Sequence, residues 1–461
     1  MLRRKTALSL RIFLPEQLKR IATLSPVPVY LVGGAVRNAL AGLADTRDYD
    51  LCAPMPAEDF RALAERCGVK AAAVYKNTGT VLLSVDGCAC EFTSFRTDFY
   101  RTGAHVPVSV TFTDDIVKDA RRRDFRCNAV YYDIAKESVL DPLNGSEDIK
   151  TRILRTTRSA DEVFSEDGLR LLRLARLAAE IGFTPDMDCL RAARENAPLI
   201  KDVAPERILT ELNLLLHADE KYGRPFAHYD GLKILDETRV LDEILPELAQ
   251  GRGMTQRSDF HDHDVLEHSL RACRYADRRV RLSALLHDVG KPAAFLANGN
   301  YHGHDVIGEP IGRQICGRLR VPKKQADIVC RMIALHMYDL DGKVREHKIR
   351  LFILRNYDVY GLLCLVKQAD YSGCKDRTDT CPTLYKWDGI LKKMMSENVP
   401  FSLKDLAVNG NDLLSLVPAK QIGGILKKLQ EACAAGELKN ERNALLARAA
   451  KFPAVSGKDR E

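Results

Sequence analysis

Two aspartates that are separated by a single residue, Asp48 and Asp50, lie near the start of the chain. Side chains alternate between the two faces of a strand, so on a strand both carboxylates would leave the same face. Carboxylate oxygens that share a face can hold one or two Mg2+ ions, which usually bind substrate phosphates as well. The pair therefore predicts a magnesium site that acts on a phosphate-bearing substrate.

A glycine pair, Gly33 and Gly34, precedes the aspartates and joins an apolar run, 27–32, to a helical pattern that closes at Gly42. Glycines let backbone N–H groups approach a triphosphate, the helix N-terminus adds positive potential, and Arg37 supplies a charged donor. A Gly-Gly turn or an Asp-x-Asp sequence alone is usually only a turn or a solvated loop. Their order and close spacing favour a catalytic site that binds a triphosphate.

Two later clusters are rich in arginine. The first, residues 121–129, is a short basic run in which Arg123 could neutralise triphosphate or sugar oxygens. The second begins a helical pattern and carries three arginines at three-residue steps beside a leucine and alanine stripe, namely Arg170, Arg173 and Arg176. Either cluster alone would more often be a solvated surface, so their meaning depends on the acidic pair upstream.

The second arginine cluster also contains Asp167, which can meet Arg170 on a helix because the two are three residues apart. Cytosine and adenine each present an exocyclic amine beside an unprotonated ring nitrogen, whereas uracil and guanine present a carbonyl beside a ring N–H. An aspartate can accept from the amine, and an arginine can donate to the ring nitrogen. The pair therefore predicts selection of C and A over U and G.

Histidines and aspartates recur in the middle of the chain with a spacing suited to a metal site. The candidate ligands are His268, His287, Asp288, His304, His336 and Asp370. Adjacent His287 and Asp288 at a helix end can both reach one metal, and the later histidines can complete a second site. The pattern resembles an HD domain, and we expect a divalent metal there, either Mg2+, Mn2+, Ni2+ or Fe2+.

Changes in periodicity divide the chain into modules, and 461 residues are too many for one hydrophobic core. The first quarter mixes strand and helix patterns, and Asp86-Gly87 between two strand patterns predicts a hairpin. From about residue 160 the periodicity is helical, as in the pattern that ends at Gly182, and a glycine-rich stretch, 250–258, predicts a linker. We predict an α/β head domain with a mixed sheet (1–150), followed by an all-α neck (151–250), HD domain (251–375) and tail (376–461).

The composition predicts a packed, cytoplasmic protein. Lys and Arg number 70 against 63 Asp and Glu, and this net charge of +7 permits a polyanionic partner without showing one. The 13 cysteines lie at irregular spacings with no Cys-x-x-Cys pair, which indicates reduced thiols rather than a disulfide framework or a zinc ribbon. No uncharged apolar run approaches the length of a membrane span, so we expect no membrane partner.

The assembled motifs resemble those of class II tRNA nucleotidyltransferases, the bacterial CCA-adding and poly(A) polymerase family within the polymerase-β-like superfamily. Such enzymes build the tRNA 3′ end from CTP and ATP without a nucleic-acid template. Five motifs occur in the order of that family: Gly33-Gly34 with Asp48 and Asp50, Arg122-Arg-Asp-Phe125, Asp141-Pro-Leu-Asn-Gly145, Glu166-Asp-Gly-Leu-Arg170, and Glu206-Arg-Ile-Leu-Thr-Glu211.

The resemblance implies a role for each candidate residue. Asp48 and Asp50 would bind Mg2+, one ion activating the tRNA 3′-hydroxyl for in-line attack on the α-phosphate and another stabilising the leaving pyrophosphate. Asp167 and Arg170 would select the base. Contacts to the nucleotide or its phosphates would come from Gly33, Gly34, Arg37, Arg123, Arg173 and Arg176. The implied partners are tRNA, ATP and CTP.

The family pattern also raises three local expectations. Asn38 stands where the family usually has aspartate, so the salt bridge that would steady Arg37 must be weaker or must be supplied elsewhere. A flexible loop is expected at residues 101–105. Glu91 is a candidate third carboxylate on the strand beside the acidic pair.

Three alternatives stay open at this point. A poly(A) polymerase, or an enzyme that adds only CC or only A, has the same motifs. The chain could chiefly be an HD phosphohydrolase whose head is retained for RNA binding, although such a head has no need of Asp48 and Asp50. A non-catalytic RNA-binding protein is disfavoured for that reason, and because interleaved aromatic residues for base stacking are absent. Metal binding alone would not establish hydrolysis, for example of 2′,3′-cyclic phosphate at damaged RNA ends.

Overall fold

The structure is a computed structural model of the chain and describes residues 12–44, 48–99, 108–259 and 261–452. It divides into two compact units. The first unit contains residues 1–250 with 315–321, and the second contains 251–314 with 322–461. The glycine-rich stretch, 250–258, therefore includes the division between the units. The expected loop at 101–105 lies outside the described residues.

The described strands all belong to the first unit. They are β1 (Tyr30–Val32), β2 (Tyr49–Ala53), β3 (Ala71–Tyr75), β4 (Thr80–Val85), β5 (Cys88–Ser94), β6 (Arg96–Phe99), β7 (Ser109–Phe112), β8 (Tyr131–Asp133), β9 (Ser138–Leu140), β10 (Ile153–Leu154) and β11 (Thr184–Pro185).

The helices of the first unit precede, accompany and follow these strands. They are α1 (Glu16–Leu24), α2 (Gly34–Ala41), α3 (Ala57–Arg66), α4 (Ile116–Arg121), α5 (Gly145–Thr151), α6 (Ala160–Glu166), α7 (Leu169–Ile181), α8 (Met187–Asn196), α9 (Pro205–Leu216), α10 (Ala218–Lys221), α11 (Ala227–Glu237), α12 (Val240–Ile244) and α13 (Pro246–Ala249).

The remaining helices begin in the second unit, and the described part of that unit contains no strand. They are α14 (Val265–Tyr275), α15 (Arg281–Leu286), α16 (Lys291–Asn298), α17 (His304–Arg318), α18 (Lys323–Leu335), α19 (Glu346–Arg355), α20 (Tyr360–Lys375), α21 (Pro382–Ser396), α22 (Gly410–Leu413), α23 (Ile422–Ala435) and α24 (Arg442–Ala449).

Seven strands of the head form one mixed sheet in the order β3-β4-β5-β2-β1-β8-β9. Strands β2 and β5 pair in parallel, and the other neighbours are antiparallel. The register of β1 on β2 pairs Val32 with Asp50, so the glycine turn that follows β1 lies beside the start of β2. The topology thus joins two motifs that are separate in the sequence.

Apolar packing fixes the strand that carries Asp50. Cys52, two residues along β2 and therefore on the same face as Asp50, is buried in a cluster that includes Val32, Phe95 and Tyr131. This apolar cluster lies directly next to Asp50, so packing holds the strand that carries the carboxylate in place.

Two local predictions are confirmed. Asp86 and Gly87 both have positive φ, 52° and 75°, and they join β4 to β5 as an antiparallel hairpin. Helix α7 ends at Ile181, and Gly182 follows it with a φ of 70° in the left-handed conformation that favours glycine at this position. Both features depend on residues that are adjacent in the sequence.

Trp387 is the largest fully buried side chain of the second unit. Its ring packs near Phe352 and Tyr338, and its Nε1 donates to the Asp339 carboxylate at 2.9 Å. The polar end of the indole is therefore satisfied inside an apolar core. The predicted fold class is confirmed, with an α/β head followed by helices; the helical region also contains one short parallel pair, β10 with β11.

All 13 cysteines lie in the described residues, and none of them forms a disulfide, in agreement with the expected reduced thiols. Among the described helices, none combines the length and the apolar character needed to cross a membrane.

Candidate active site

Three carboxylates meet at one position of the head sheet. Asp50 is half-buried on β2, exposed Asp48 directly precedes that strand, and Glu91 on β5 pairs with Asp50 in the parallel register. Burial raises the pKa of Asp50 to about 6 against the opposing charge of Arg123. The carboxylates of Asp48 and Glu91 add to that rise. Clustered carboxylates of this kind suit a hard divalent cation such as Mg2+.

Gly33 is required by the approach of Asp50 to the turn. Its φ is +79°, and a Cβ at this position would lie only 2.7 Å from Asp50 Oδ2. Any L side chain would therefore be strained in the backbone and would also displace the carboxylate. Helix α2 begins at the next residue, Gly34, so the acidic pair lies next to a helix N-terminus.

Replacing Asp50 with asparagine is expected to stabilise the metal-free fold at neutral pH. The folded-state pKa, about 6, lies above the ordinary 3.8, so the folded protein binds this proton more tightly than the unfolded chain does. Ionisation of Asp50 therefore costs stability progressively between about pH 4 and pH 6, reaching roughly 3 kcal/mol above that range. In EDTA, thermal unfolding should show a higher Tm for Asp50→Asn at about pH 7.5, and the difference should vanish toward pH 4. A difference that does not change with pH would contradict the raised pKa.

The first unit contains a cavity of about 520 Å3 that is lined by residues of the predicted nucleotide and catalytic site. All of its predicted residues except Asp48 line this cavity: Gly33, Gly34, Arg37, Asp50, Arg123, Asp167, Arg170, Arg173 and Arg176. The cavity has the size of an ordinary small-molecule site. The head provides the glycine turn and Asp50, and helix α7 provides three of the arginines, Arg170, Arg173 and Arg176.

The cavity also contains residues to which sequence reasoning gave no role. They are Arg96, Asp98, Arg122, Leu169, Leu177, Arg207, Thr210, Glu211 and Lys221. Asp124 and Asn128, which the sequence predicts to fix Arg123 in place, also line the cavity. Arg207 and Glu211 are four residues apart on α9, so a helical interpretation of the fifth motif would have placed them on one face. Arg96 and Lys221 have no such signal in the sequence.

Arg123 and Arg173 are each paired with an aspartate. Arg123 Nη2 lies 3.2 Å from Asp119 Oδ2, and the Tyr131 hydroxyl donates to the same oxygen at 2.7 Å. Arg173 Nη2 lies 2.5 Å from Asp124 Oδ2. Burial alone would raise the pKa of Asp124, but the Arg173 guanidinium outweighs it and holds that pKa below the usual range.

Arg176 lies deeper in the neck and is also paired. Its Nε is 2.5 Å from Glu211 Oε2, and its Nη1 is 2.9 Å from Glu180 Oε2. All three side chains are buried; the pair with Glu211 joins helices α7 and α9, and the pair with Glu180 lies within α7. Arg176 thus has a structural partner in addition to its predicted nucleotide contact.

Asp167 and Arg170 both line the cavity, in different surroundings. Asp167 lies between α6 and α7, and burial raises the pKa of its carboxyl. Arg170 is buried, and its Nη1 donates to Val163 O at 2.9 Å and to Glu166 Oε2 at 3.0 Å. Its Nη2 donates to the backbone carbonyl of Arg122 at 3.0 Å. These hydrogen bonds hold the first turn of α7 against the head.

The six predicted metal ligands of the second unit converge on one point. Asp288 Oδ2 lies 3.2 Å from the Nε2 atoms of both His268 and His287. Asp288 Oδ1 lies 3.0 Å from His304 Nε2 and 3.5 Å from His336 Nε2. The two oxygens of one carboxylate therefore face two different histidine pairs.

Asp370 completes the first of these groups. Its Oδ1 lies 3.1 Å from His268 Nε2 and 3.5 Å from His287 Nε2. In His287, His304 and His336, Nδ1 lies 2.7–2.8 Å from the backbone carbonyl three residues earlier, which leaves Nε2 to face the cluster. Such outer hydrogen bonds are what orient histidines that bind metals.

The charges of the cluster fit a bound cation. Burial lowers the pKa of His287, but Asp288 outweighs this effect and raises it to about 10. Lys291 Nζ also lies 2.5 Å from Asp288 Oδ2. A proton and an ammonium group thus balance the carboxylates, and a divalent metal can take over that role. Imidazole and carboxylate donors suit Mn2+, Fe2+, Ni2+ and Zn2+.

Sequence reasoning missed two neighbours of this cluster. The His261 and His268 rings lie 4.7 Å apart edge to face, and Cys374 Sγ is 3.8 Å from Asp370 Oδ1. The ligand atoms of His261, His268 and Cys374 all lie within 4.8 Å of one another. Cys374 stands one helical turn after Asp370 on α20, which is the signal that would have found it.

Comparison with protein families matches three segments of the chain. The model of the "Poly A polymerase head domain" matches residues 29–155. The model of the "Probable RNA and SrmB- binding site of polymerase A" matches residues 182–251. A third, for tRNA nucleotidyltransferase domain 2, matches residues 312–449.

Similar proteins extend over most of the chain. The A-adding tRNA nucleotidyltransferase of Deinococcus radiodurans is 30% identical over 444 residues, which cover 91% of this chain and 95% of that protein. The CCA-adding enzyme of Geobacillus stearothermophilus is 38% identical over 220 residues, which cover 48% of this chain and 51% of that protein.

A solved structure is similar in fold along most of the chain. The crystal structure of the Bacillus stearothermophilus CCA-adding enzyme in complex with CTP has a TM-score of 0.68 at 25% identity, and the match covers 94% of this chain and 96% of that one. Motifs, fold and relatives agree: the chain belongs to the family of tRNA nucleotidyltransferases that carry a poly(A) polymerase head domain.

Proposed function

We propose that this protein adds C, C and A to the 3′ end of tRNA from CTP and ATP, without a nucleic-acid template, and releases pyrophosphate. The observation that carries the proposal is the single cavity in which Asp50 and the glycine turn meet the arginines of α7. The acidic residue and the glycine turn suit a metal-bound triphosphate. The polar side chains of α7 suit a nucleotide base. The similarity to tRNA nucleotidyltransferases supports the choice of tRNA as acceptor.

The head residues hold the reacting groups. Asp48 and Asp50 would bind Mg2+, with Glu91 beside them, since clustered carboxylate oxygens are the ligands that this ion prefers. Bound there, the metal would supply activation of the tRNA 3′-hydroxyl and charge neutralisation at the departing pyrophosphate. Gly33 leaves room for the Asp50 carboxylate, and Arg37 and Arg123 supply positive charge for the phosphates.

The neck residues select the base. The Asp167 carboxylate can accept from the exocyclic amine of cytosine or adenine, and the Arg170 guanidinium can donate to the adjacent ring nitrogen. The hydrogen bonds of Arg170 to Glu166 and to the Arg122 carbonyl limit its freedom, so the site offers one fixed pattern of donors and acceptors. A uracil or guanine base has the opposite pattern of donors and acceptors, so it would leave the Asp167 and Arg170 side chains without hydrogen-bond partners and is disfavoured.

A specific observation favours a second candidate, addition of the terminal A alone. One of the relatives that match nearly the full length of the chain is an A-adding enzyme, although a multifunctional CCA protein also matches over 88% of the chain. The solved CCA-adding enzyme with CTP matches along 94% of this chain and supports the full activity.

Truncated tRNAs distinguish these activities. Substrates that lack one, two or all three nucleotides of the CCA end are incubated with the enzyme and each NTP alone and combined. We expect C, C and A to be added in order, addition to stop after A, and UTP and GTP to be refused. Extension of only the substrate that lacks A would establish the A-adding enzyme, and an unbounded A tail would establish a poly(A) polymerase.

We also propose that the histidine and aspartate cluster of the second unit is an HD-type site, in which two groups of residues that both face Asp288 would hold up to two divalent metals. Support comes from the division of the two Asp288 oxygens between two histidine pairs. Hydrolysis of phosphate or 2′,3′-cyclic phosphate at RNA ends suits a protein that maintains the tRNA 3′ end. Incubation of both kinds of end with Ni2+, Mn2+ or Mg2+ tests it, and intact ends with every metal would refute the hydrolase activity.

A further inference from the structure

Arg37 is held by uncharged groups. Its side chain is buried, with an exposure of 3%. Its Nη1 donates to Asn128 Oδ1 at 2.6 Å, and its Nε and Nη2 donate to Asn38 Oδ1 at 3.2 and 2.9 Å. Its Nη2 also donates to the Tyr222 hydroxyl at 3.3 Å. Within the described residues, no carboxylate oxygen lies within 4.0 Å of this guanidinium.

This environment separates Arg37 from the other arginines that are predicted to contact the nucleotide. Arg123, Arg170, Arg173 and Arg176 are each paired with a carboxylate. A buried cation with neutral partners has the most to gain from an anion that enters the cavity. Arg37 is therefore well placed to attract the triphosphate, provided that its neutral partners hold it correctly.

The Asn38 amide must present its oxygen, and not its nitrogen, to Arg37. The two ends of an amide have similar shapes, so a flip would turn N–H donors toward the guanidinium and would break both hydrogen bonds. Asn38 Nδ2 donates to the Tyr222 hydroxyl at 3.0 Å and to Ala44 O at 3.3 Å. The Ala44 carbonyl can only accept and so selects the orientation that Arg37 requires, and the Tyr222 hydroxyl, which also lies 3.3 Å from Asn38 Oδ1, supports it by accepting from Nδ2 at the shorter distance.

We propose that Tyr222 is a positioning residue for the triphosphate end of the nucleotide site, acting through Asn38 and Arg37. The inference rests on the proposed nucleotidyl transfer. Tyr222 is separated from Asn38 by 184 residues and directly follows α10 of the neck, whose last residue, Lys221, lines the same cavity. A residue of the neck thus contributes to the orientation of Asn38 and Arg37, which the head motifs alone do not fix.

The residue at position 38 explains why a tyrosine is needed. An aspartate there would present a carboxylate oxygen to Arg37 in either orientation, because both of its oxygens are acceptors. An asparagine depends on an outside group to fix its orientation. The Tyr222 hydroxyl and the Ala44 carbonyl together supply such partners, and asparagine leaves the positive charge of Arg37 uncompensated for the substrate.

Tyr222→Phe removes only the hydroxyl and tests the proposal. We expect the KM for ATP and for CTP to rise about three- to tenfold, as for the loss of one or two hydrogen bonds, with kcat within about twofold and the KM for tRNA unchanged. The double variant Asn38→Asp/Tyr222→Phe should have a lower nucleotide KM than Tyr222→Phe, since aspartate needs no orienting partner, but should not reach the wild-type value, since the carboxylate also pairs with the charge of Arg37. Tyr75→Phe, on the exposed edge of β3, is the matched control and should leave all constants unchanged.

Two results would overturn the proposal. One is an unchanged nucleotide KM in Tyr222→Phe. The other is a joint fall of kcat and Tm that Asn38→Asp does not correct, because that result would assign a purely structural role to the hydroxyl. If the wild-type enzyme itself incorporates neither nucleotide, the proposed function fails instead, so the two failures are distinguishable.

Discussion

Asp48→Ala is expected to lower nucleotide incorporation by at least about a thousandfold while tRNA affinity stays within about twofold of the wild type. Asp48 is exposed at the start of β2, so its removal leaves no cavity in the core. It does remove one of the two carboxylates proposed to bind Mg2+, and we expect that Asp50 alone cannot replace it. Affinity for tRNA phosphates is expected to come from basic side chains, which this substitution leaves in place. Extension of end-labelled tRNA that lacks its terminal A, together with filter binding, measures both quantities.

The control for this experiment is Asp59→Ala, which removes an exposed carboxylate from helix α3 of the same domain. It should retain wild-type incorporation. Asp50→Asn adds a second comparison, because it should lose incorporation while its metal-free fold gains stability, which separates lost chemistry from unfolding. Incorporation by Asp48→Ala at a rate comparable to that of the wild type would refute the assignment of the active site.

Asp288→Asn is expected to reduce the metal retained by the second unit from about two ions per chain to one or fewer, and to abolish any hydrolysis of RNA ends. Asp288 is the residue whose two oxygens face both histidine pairs, so its loss affects both metals. Asparagine keeps the shape and one acceptor oxygen for Lys291, and this limits the damage to the buried cluster. Metal analysis after dialysis and a cyclic-phosphate cleavage assay measure the two effects.

Nucleotide addition should continue in Asp288→Asn, because the acidic pair and the arginine cavity belong to the first unit. His302→Ala is the matched control, since His302 is an exposed histidine of the same unit that lies outside the cluster. Retention of both metals by Asp288→Asn would contradict the role of Asp288 in holding them. Asp288→Asn should lose only hydrolysis, and Asp48→Ala should lose only nucleotide addition. This result would exclude the alternative that the head binds RNA without catalysing a reaction.

The sequence by itself determined the features that depend on neighbouring residues. The hairpin at Asp86-Gly87 and the end of helix α7 at Gly182 follow from backbone conformations that few other residues adopt. The order of the motifs identified the family, and the types of residue in Asp48 and Asp50 indicated oxygen ligands for a metal. Local conformation and side-chain chemistry are enough for these predictions.

Only the tertiary structure decided which charges are paired and which are left for a substrate. Arg37 and Arg123 look alike in the sequence, but Asp119 neutralises one and amides surround the other. Tyr222 reaches Asn38 across 184 positions, and no periodicity or spacing can reveal such a contact. Partners of this kind are fixed by the packing of the neck helices against the head sheet, because the energy of a buried charge depends on every group around it and not on its neighbours along the chain.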